Sequence, residues 1–478
     1  MMPDAPSPLD PATMPPPPAR VHFIGVGGIG MSGLARILAA GGYRVTGSDG
    51  TVSELTDQLV AEGIGVTAGH DRSDDVSAAD LVVVTAAMRP DNPEMAAALA
   101  GQAPVVKRAA LLGLLANARR HVAVAGSHGK STTAGMLVAA LGALGADPAY
   151  AIGAVLGVTG TNAAPGSGDL MVVEADEYDY SFLHLTPDIV IINNIDYDHP
   201  DLFPNQATYD RAFARFAANV RPGGTVITAV DDPGCARLLT SGAFPASVEI
   251  VTVGESADAD WRLTGDEGAW LVRAPGGEEL ALPIGVPGRH NARNATAALA
   301  ALVALGHDPA GALRALGTFT GVGRRFELKG EAAGVTVIDD YAHHPSELRA
   351  TLGAARDRYP ERRRWAVFQP HTFSRTRALL DDFAASFDDA DRVMILNVYA
   401  ARETDALGVS ARDLIAKLPA PAVQANGPDD AAIRLATLVE PGDVVLTLGA
   451  GDVTAVGPKL LDLLRRDRPG DPGREPSP

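Results

Sequence analysis

Cysteine is nearly missing: Cys235 is the only one among 478 residues. No internal disulfide can staple this fold, which points to a reducing compartment, the cytoplasm. Positive charge is also short, since 40 Lys and Arg against 58 Asp and Glu leave a net charge of −18. That surplus repels phosphate backbones and argues against a nucleic-acid partner. No stretch approaches the roughly 20 apolar residues that a bilayer span requires, so no membrane partner is expected. The first twenty residues, with Pro15 to Pro18 in a row, also lack the apolar core of a secretory signal.

The 46% hydrophobic and 21% charged composition is nevertheless that of a globular protein, too apolar to stay disordered. At roughly 150 residues per domain the length suggests about three domains. From Val21 onward, short apolar runs alternate with Ala- and Leu-rich helical stretches, the pattern of parallel sheets flanked by helices. The expected organisation is α/β throughout. A Pro-rich unstructured leader covers 1–20, a Rossmann-like N-terminal domain 21–118 and a P-loop ATPase-like central domain with a parallel sheet 119–325. A Rossmann-like α/β C-terminal domain covers 326–465 and an unstructured tail 466–478. In the last domain, Val335 to Ile338, Trp365 to Phe368, Val393 to Leu396 and Val444 to Leu448 read as buried strands.

The apolar run from Val21 to Ile24 leads into a G-x-G-x-x-G turn, with glycines at Gly25, Gly27, Gly28 and Gly30. Such a turn lets backbone amides approach a pyrophosphate at a helix N-terminus. Asp49 follows the next expected strand and is placed to accept from a ribose hydroxyl. Any nucleoside diphosphate offers both groups, so a nicotinamide or flavin dinucleotide, another nucleotide, and a turn needed only for tight packing all stay open.

A second loop carries more chemistry. The expected strand His121 to Ala125 runs into Gly126, Ser127, His128, Gly129, Lys130, Ser131 and Thr132, and an apolar helix follows. Loop amides can cradle triphosphate oxygens, Lys130 can neutralise the β and γ positions, and Ser131 or Thr132 can reach Mg²⁺. The G-x-x-G-K-[ST] spacing is shorter than that of ordinary motor ATPases and GTPases. Carboxylate clusters then end two further strands, at Glu174, Asp176 and Glu177 and at Asp196, Asp198 and His199. In a parallel sheet such ends share one crevice, which offers oxygen and imidazole ligands to Mg²⁺. Asn291, Asn294, Arg324 and Arg325 suit nucleotide edges and phosphates, with interdomain salt bridges as the alternative for the arginines. Asp339, Tyr341, His343 and His344, and then His371 and Arg375, crowd two strand ends in the last domain. Adjacent imidazoles at 343 and 344 point apart on an extended chain, which favours substrate hydrogen bonding over zinc.

Together the strings GVGGIGMSG, GSHGKSTT, EADEYDYSFL, PGRHNARNATAA, GVGRRFE, DDYAHHPSE, FQPHTFSRT and LGAGDV occur in one order. The chain thereby resembles the Mur ligase family over nearly everything except its tails. That resemblance implies a bacterial cytoplasmic enzyme using ATP and Mg²⁺ to join L-alanine to the lactyl carboxylate of UDP-N-acetylmuramate. The route would be an acyl phosphate, in the first amino-acid addition of peptidoglycan precursor synthesis. It recasts Gly25, Gly27, Gly28 and Gly30, with Asp49, as contacts to UDP. It gives Lys130, Ser131 and Thr132 to ATP and Mg²⁺, Glu174 and His199 to Mg²⁺, and Asn291, Arg325 and Asp339 to ATP. Tyr341, His343, His371 and Arg375 fall where L-alanine is expected, with His199 or His343 as the base for its amine. Thr372 stands where relatives often carry a basic residue and Asp196 where glutamate is common. A monomer or homodimer is expected, closing around ATP on hinges near residues 119 and 325. A recycling ligase that attaches an L-alanyl tripeptide shares this machinery. A nicotinamide oxidoreductase or a non-catalytic nucleotide module leaves one of the segments without a use.

Overall fold

The structure, a computed structural model, describes residues 10–85, 88, 91–401, 403–419 and 421–466. It divides into two compact units. One comprises the chain up to Tyr197, Leu202–Gly285 and Asn291–Val322; the other comprises Asp198–Asp201, Val286–His290 and the chain from Gly323. Three α/β sheets account for the expected fold class.

The first unit holds two sheets. In the N-terminal one, Gly65–Ala68, Arg44–Asp49, Arg20–Ile24, Leu81–Val84 and Val105–Lys107 lie side by side in that order, all parallel. Leu81 to Val84 are all buried, as continuous apolar runs must be where helices cover both faces. Strand order reverses beside Arg20–Ile24, so the crevice of an open sheet falls at its C-terminal end, where the turn from Gly25 begins.

The second sheet has ten strands around a parallel core of Glu249–Gly254, Thr225–Ala229, Ile189–Ile192, Arg120–Ala125, Leu170–Glu174 and Ala149–Ala151. Trp261–Thr264 extends it in parallel, followed by the antiparallel strands Leu271–Arg273 and Glu279–Ala281. Reading the sequence did not anticipate this extension, whose outer strands are short and half-exposed.

The junction near residue 119, where a hinge is expected, is packed. Buried residues of both sheets share one core, from Val21 and Phe23 through Leu111 and Leu112 to Val173 and Phe182. Arg36 donates to Asn162 Oδ1 at 2.7 Å, and Asn117 donates to the His184 carbonyl at 2.9 Å. A Cβ on Gly113 would lie 2.6 Å from that carbonyl oxygen, so glycine lets the helix Arg108–Asn117 seat there. Residues 1–9 and 467–478 lie outside the described residues. Within the expected leader, however, Pro11–Thr13 forms a 3₁₀ turn and Met14 packs on the shared core, so ordered chain begins before Val21.

The second unit is built on six strands. Val335–Asp340, Val444–Leu448, Arg364–Phe368, Arg392–Leu396 and Val423–Ala425 run parallel, and Glu327–Ala332 pairs antiparallel at one edge. Its two faces bury separate apolar clusters. The observed strands cover the four expected here, with shifts of a residue or two at their ends.

Candidate active site

The phosphate loop forms because two glycines adopt backbone that a side chain would strain. Gly126 has φ +133° and Gly129 φ +81°, and Gly129 caps the helix Lys130–Ala143. A Cβ on Gly129 would lie 2.6 Å from Asn294 Oδ1 and 2.9 Å from Asn193 Nδ2. The first intrahelical bond runs from the Thr133 amide to the Gly129 carbonyl at 2.9 Å, so the earlier amides point out of the helix N-terminus. Asn194 Oδ1 accepts from the His128 amide at 2.8 Å, and Ser127 Oγ donates to the Asp196 carbonyl at 2.6 Å. His128 Nε2 lies 3.2 Å from Asp196 Oδ2.

Lys130 Nζ donates to the Gly126 carbonyl at 2.7 Å and to Glu177 Oε2 at 2.8 Å. Burial works against its charge, but Glu177, Asp176 and Glu174 outweigh burial and raise its pKa, so it stays cationic. Glu177 is itself only 1% exposed and is further held by the Tyr209 hydroxyl at 3.2 Å. Glu174 Oε2 accepts from Ser131 Oγ at 2.8 Å and from the Gly153 amide at 2.7 Å. A hydroxyl and a carboxylate at hydrogen-bond distance supply the hard oxygen ligands that Mg²⁺ takes. Nearby, Asn193 Oδ1 is buried with no hydrogen-bond donor. The donor set therefore fits a magnesium–triphosphate group.

The glycine turn opens onto the same region. Gly25 has φ +86°, and a Cβ on Gly27 would lie 2.9 Å from Asp49 Oδ2. That carboxylate oxygen accepts from the Gly27 amide at 2.8 Å while Oδ1 accepts from Thr51 at 3.0 Å, so Asp49 braces the turn. A cleft of about 290 Å³ is lined by Gly28, Gly30 and Arg108 together with Gly153, Glu174 and Asp176. The turn and the carboxylates beside the phosphate loop thus line one space.

In the second unit, buried Arg375 forms a bidentate pair with buried Asp198 at 2.7 and 3.0 Å and also meets His371 Nδ1 at 3.2 Å. Burial raises the pKa of Asp198, but Arg375, His199 and His344 overcome this and hold it well below the usual carboxylate range. His199, at φ +55°, places Nδ1 3.5 Å from Arg375 Nη2. His343 is half-buried, and desolvation with Arg375 and His371 lowers its pKa to about 3 against the pull of Glu347 and Asp198. Its Nδ1 lies 2.9 Å from the Tyr341 carbonyl, whereas His344 caps the helix Pro345–Arg358, so the two imidazoles do diverge. Arg324 pairs with Asp339 at 3.1 Å and Arg325 with Glu347 at 3.1 Å, and both guanidiniums stack near the Tyr341 ring. Asp339 and Glu347 lie in the same unit as the arginines they pair with. Asp339 is fully buried and also accepts from Thr447 at 2.5 Å and Thr454 at 2.8 Å. Asp340 is raised to about 6 by burial. Asn291 Oδ1 accepts from Asn294 at 3.4 Å in the first turn of Arg289–Ala304.

Several partners escaped the reading of the sequence: Asn193 and Asn194 behind the phosphate loop, Arg108 in the cleft, Tyr209 on Glu177, and the Asp198–Arg375 pairing. The only hint was that Asn193 and Asn194 end an apolar strand.

A phosphate loop on a parallel sheet, whose partner Glu174 lines a cleft together with a Rossmann-like glycine turn, defines a nucleotide-dependent α/β enzyme. Comparison with known proteins narrows the class. Residues 20–120 match the Mur ligase family catalytic domain, 124–302 the Mur ligase middle domain, and 324–451 the Mur ligase glutamate ligase domain. The UDP-N-acetylmuramate–L-alanine ligase of Frankia casuarinae is 44% identical over 93% of this chain and 97% of its own. The crystal structure of the UDP-N-acetylmuramate-alanine ligase MurC from Thermotoga maritima superposes with a TM-score of 0.78 at 29% identity, covering 94% of this chain and all of that one. A murein peptide ligase from Psychrobacter arcticus shares the fold, with a TM-score of 0.73 at 24% identity over 94% of this chain and all of that one. The chain belongs to the Mur ligase family. It is an ATP-dependent ligase that forms an amide bond. The oxidoreductase and non-catalytic alternatives fall with that membership.

Proposed function

We propose that this enzyme joins L-alanine to the lactyl carboxylate of UDP-N-acetylmuramate, with ATP as the second substrate and Mg²⁺ bound at the phosphate loop. The supporting observation is the single cleft from Gly28 and Gly30 to Glu174 and Asp176. A sugar nucleotide anchored by its diphosphate at the turn extends its acidic end toward the triphosphate. The name carried by relatives such as the Frankia casuarinae protein agrees with this reading.

In this proposal the loop from Gly126 to Thr132, with Ser127 and His128, wraps the phosphates, and Lys130 faces the charge that develops when the carboxylate meets the γ-phosphoryl group. Ser131, Thr132, Glu174 and His199 would hold Mg²⁺, which when bound neutralises phosphate charge so that two anions can approach. Gly25, Gly27, Gly28 and Gly30, braced by Asp49, seat the diphosphate. Asn291, Arg325 and Asp339 serve ATP. Arg375 takes the carboxylate of L-alanine, with Tyr341, His343 and His371 around it. An imidazole held at about 3 is a poor base at neutral pH, so His343 positions the amino acid in its neutral form and does not take the amine's proton. The acyl phosphate formed first is then opened by the amine, and phosphate leaves. With one cysteine and no described helix long and apolar enough to cross a membrane, the cytoplasm is the compartment we assign.

Phosphate release from the purified protein with ATP, Mg²⁺ and UDP-N-acetylmuramate tests this directly. Release that depends on L-alanine is expected. Dependence on the L-alanyl tripeptide instead would reassign the enzyme to recycling, and release with neither would overturn the proposal.

A further inference from the structure

A buried polar network beneath the glycine turn takes no part in the reaction described above. Glu94 is completely buried at the start of the helix Pro93–Ala100. It accepts from Ser48 Oγ in a short hydrogen bond and from the Arg72 amide at 3.0 Å. Ser48 is the penultimate residue of the strand Arg44–Asp49, and its carbonyl accepts from the Gly25 and Val26 amides at 2.8 and 2.9 Å. The network therefore sits directly under the turn. His70 completes it, with Nδ1 3.0 Å from Ser48 Oγ and 3.4 Å from Glu94 Oε2.

These contacts fix the imidazole's tautomer. Ser48 has a single hydroxyl proton, and the ionised Glu94 can only accept, so that proton lies on the Ser48–Glu94 bond. Ser48 Oγ must then accept from His70, and Nδ1 carries the ring's proton. In that tautomer Nε2 carries a lone pair, which among the described residues accepts no hydrogen bond. Nε2 faces the space above Gly50, where a Cβ would lie 3.6 Å away. Gly50 follows Asp49 at the carboxyl end of the second strand of a Rossmann-like sheet, the end at which that fold holds the ribose of a nucleotide seated on the turn.

We infer that His70 reads the nucleobase, its Nε2 accepting the imide N–H of a uracil-type base, with Ser48 and Glu94 as positioning residues that hold the ring in the accepting tautomer. Cytosine presents a lone pair at the same ring position and so meets His70 acceptor to acceptor. The inference rests on the reading that the glycine turn holds a uridine diphosphate.

Calorimetric titration of the full chain with UDP, CDP and 3-methyl-UDP, whose imide proton is replaced, tests it. Wild type should bind UDP at least about tenfold more tightly than either analogue, because rejecting a base leaves a polar group unpaired. In His70→Ala the ratio should fall toward one; His70→Phe, which keeps a flat ring without an acceptor, should behave likewise if the alanine variant folds poorly. A purely structural role for His70 would leave the ratio unchanged. UDP binding with the same discrimination in folded variants as in wild type would overturn this inference alone. No UDP binding by wild type would overturn the reading of the turn and this inference with it.

Discussion

Replacing Lys130 with alanine should have two separable consequences. The ammonium sits 2.8 Å from Glu177 Oε2, and Glu177 is 1% exposed. Removing the cation leaves a carboxylate buried beside Asp176 and Glu174, and breaking such a pair costs about 3–5 kcal/mol. Turnover should fall on the order of 100- to 1,000-fold, about 2.7–4 kcal/mol of lost stabilisation for one preorganised group facing a developing anion. The double variant Lys130→Ala with Glu177→Gln tells the two apart. Neutralising Glu177 should restore most of the stability and none of the turnover. Denaturant unfolding reads the first and phosphate release the second. Wild-type turnover in the single variant would refute the assignment of Lys130 to the triphosphate. Turnover regained in the double variant would show that Lys130 serves only to neutralise Glu177.

Gly129→Ala should weaken ATP binding about tenfold or more by calorimetry, because a Cβ would meet Asn294 Oδ1 at 2.6 Å on backbone at φ +81°, strain of about 1–3 kcal/mol. Arg375→Ala should raise the L-alanine KM by roughly tenfold or more, the loss of a charged hydrogen bond of about 1.5–3 kcal/mol, with ATP affinity nearly unchanged. A selective loss of ATP binding would move that residue to the nucleotide. Glu94 is set at about 2: burial pushes it up, but the neighbouring His22 imidazole and hydrogen bonds from Ser48 and the Arg72 amide prevail. Its folded value lies below the ordinary 4.5, so the stability it contributes is present above 4.5 and is lost as pH falls toward 2. Glu94→Gln should flatten that stretch of the acid-unfolding curve, and an unaltered curve would rule the linkage out.

The loops were legible in the sequence because their chemistry is local. Gly25 to Gly30 and Gly126 to Thr132 declare backbone geometry and phosphate-facing amides within seven residues, each after an apolar run that must be a strand. What the loops lean on was not legible. Glu177 stood in a visible acidic cluster, yet nothing in its neighbours says that it turns inward to Lys130, 47 positions away. Asp198 and Arg375 are 177 positions apart and meet only in the folded chain. Hydrophobic periodicity likewise marks a strand but not its neighbours, so the strand orders and the antiparallel extension after Trp261 had to come from the structure.

The packed junction near residue 119 also bears on how such a chain can be recombined. A cut there would strip Leu111, Leu112 and Ala116 of the apolar surface around Phe182 and Leu183, and would separate Asn117 from His184 and Thr186. A graft of the first 118 residues between relatives would thus carry half of an interface. Chimaeras that exchange both N-terminal sheets as one module, joined near Val322, keep the matched surfaces together. For engineering, the sequence-defined modules and the exchangeable ones differ.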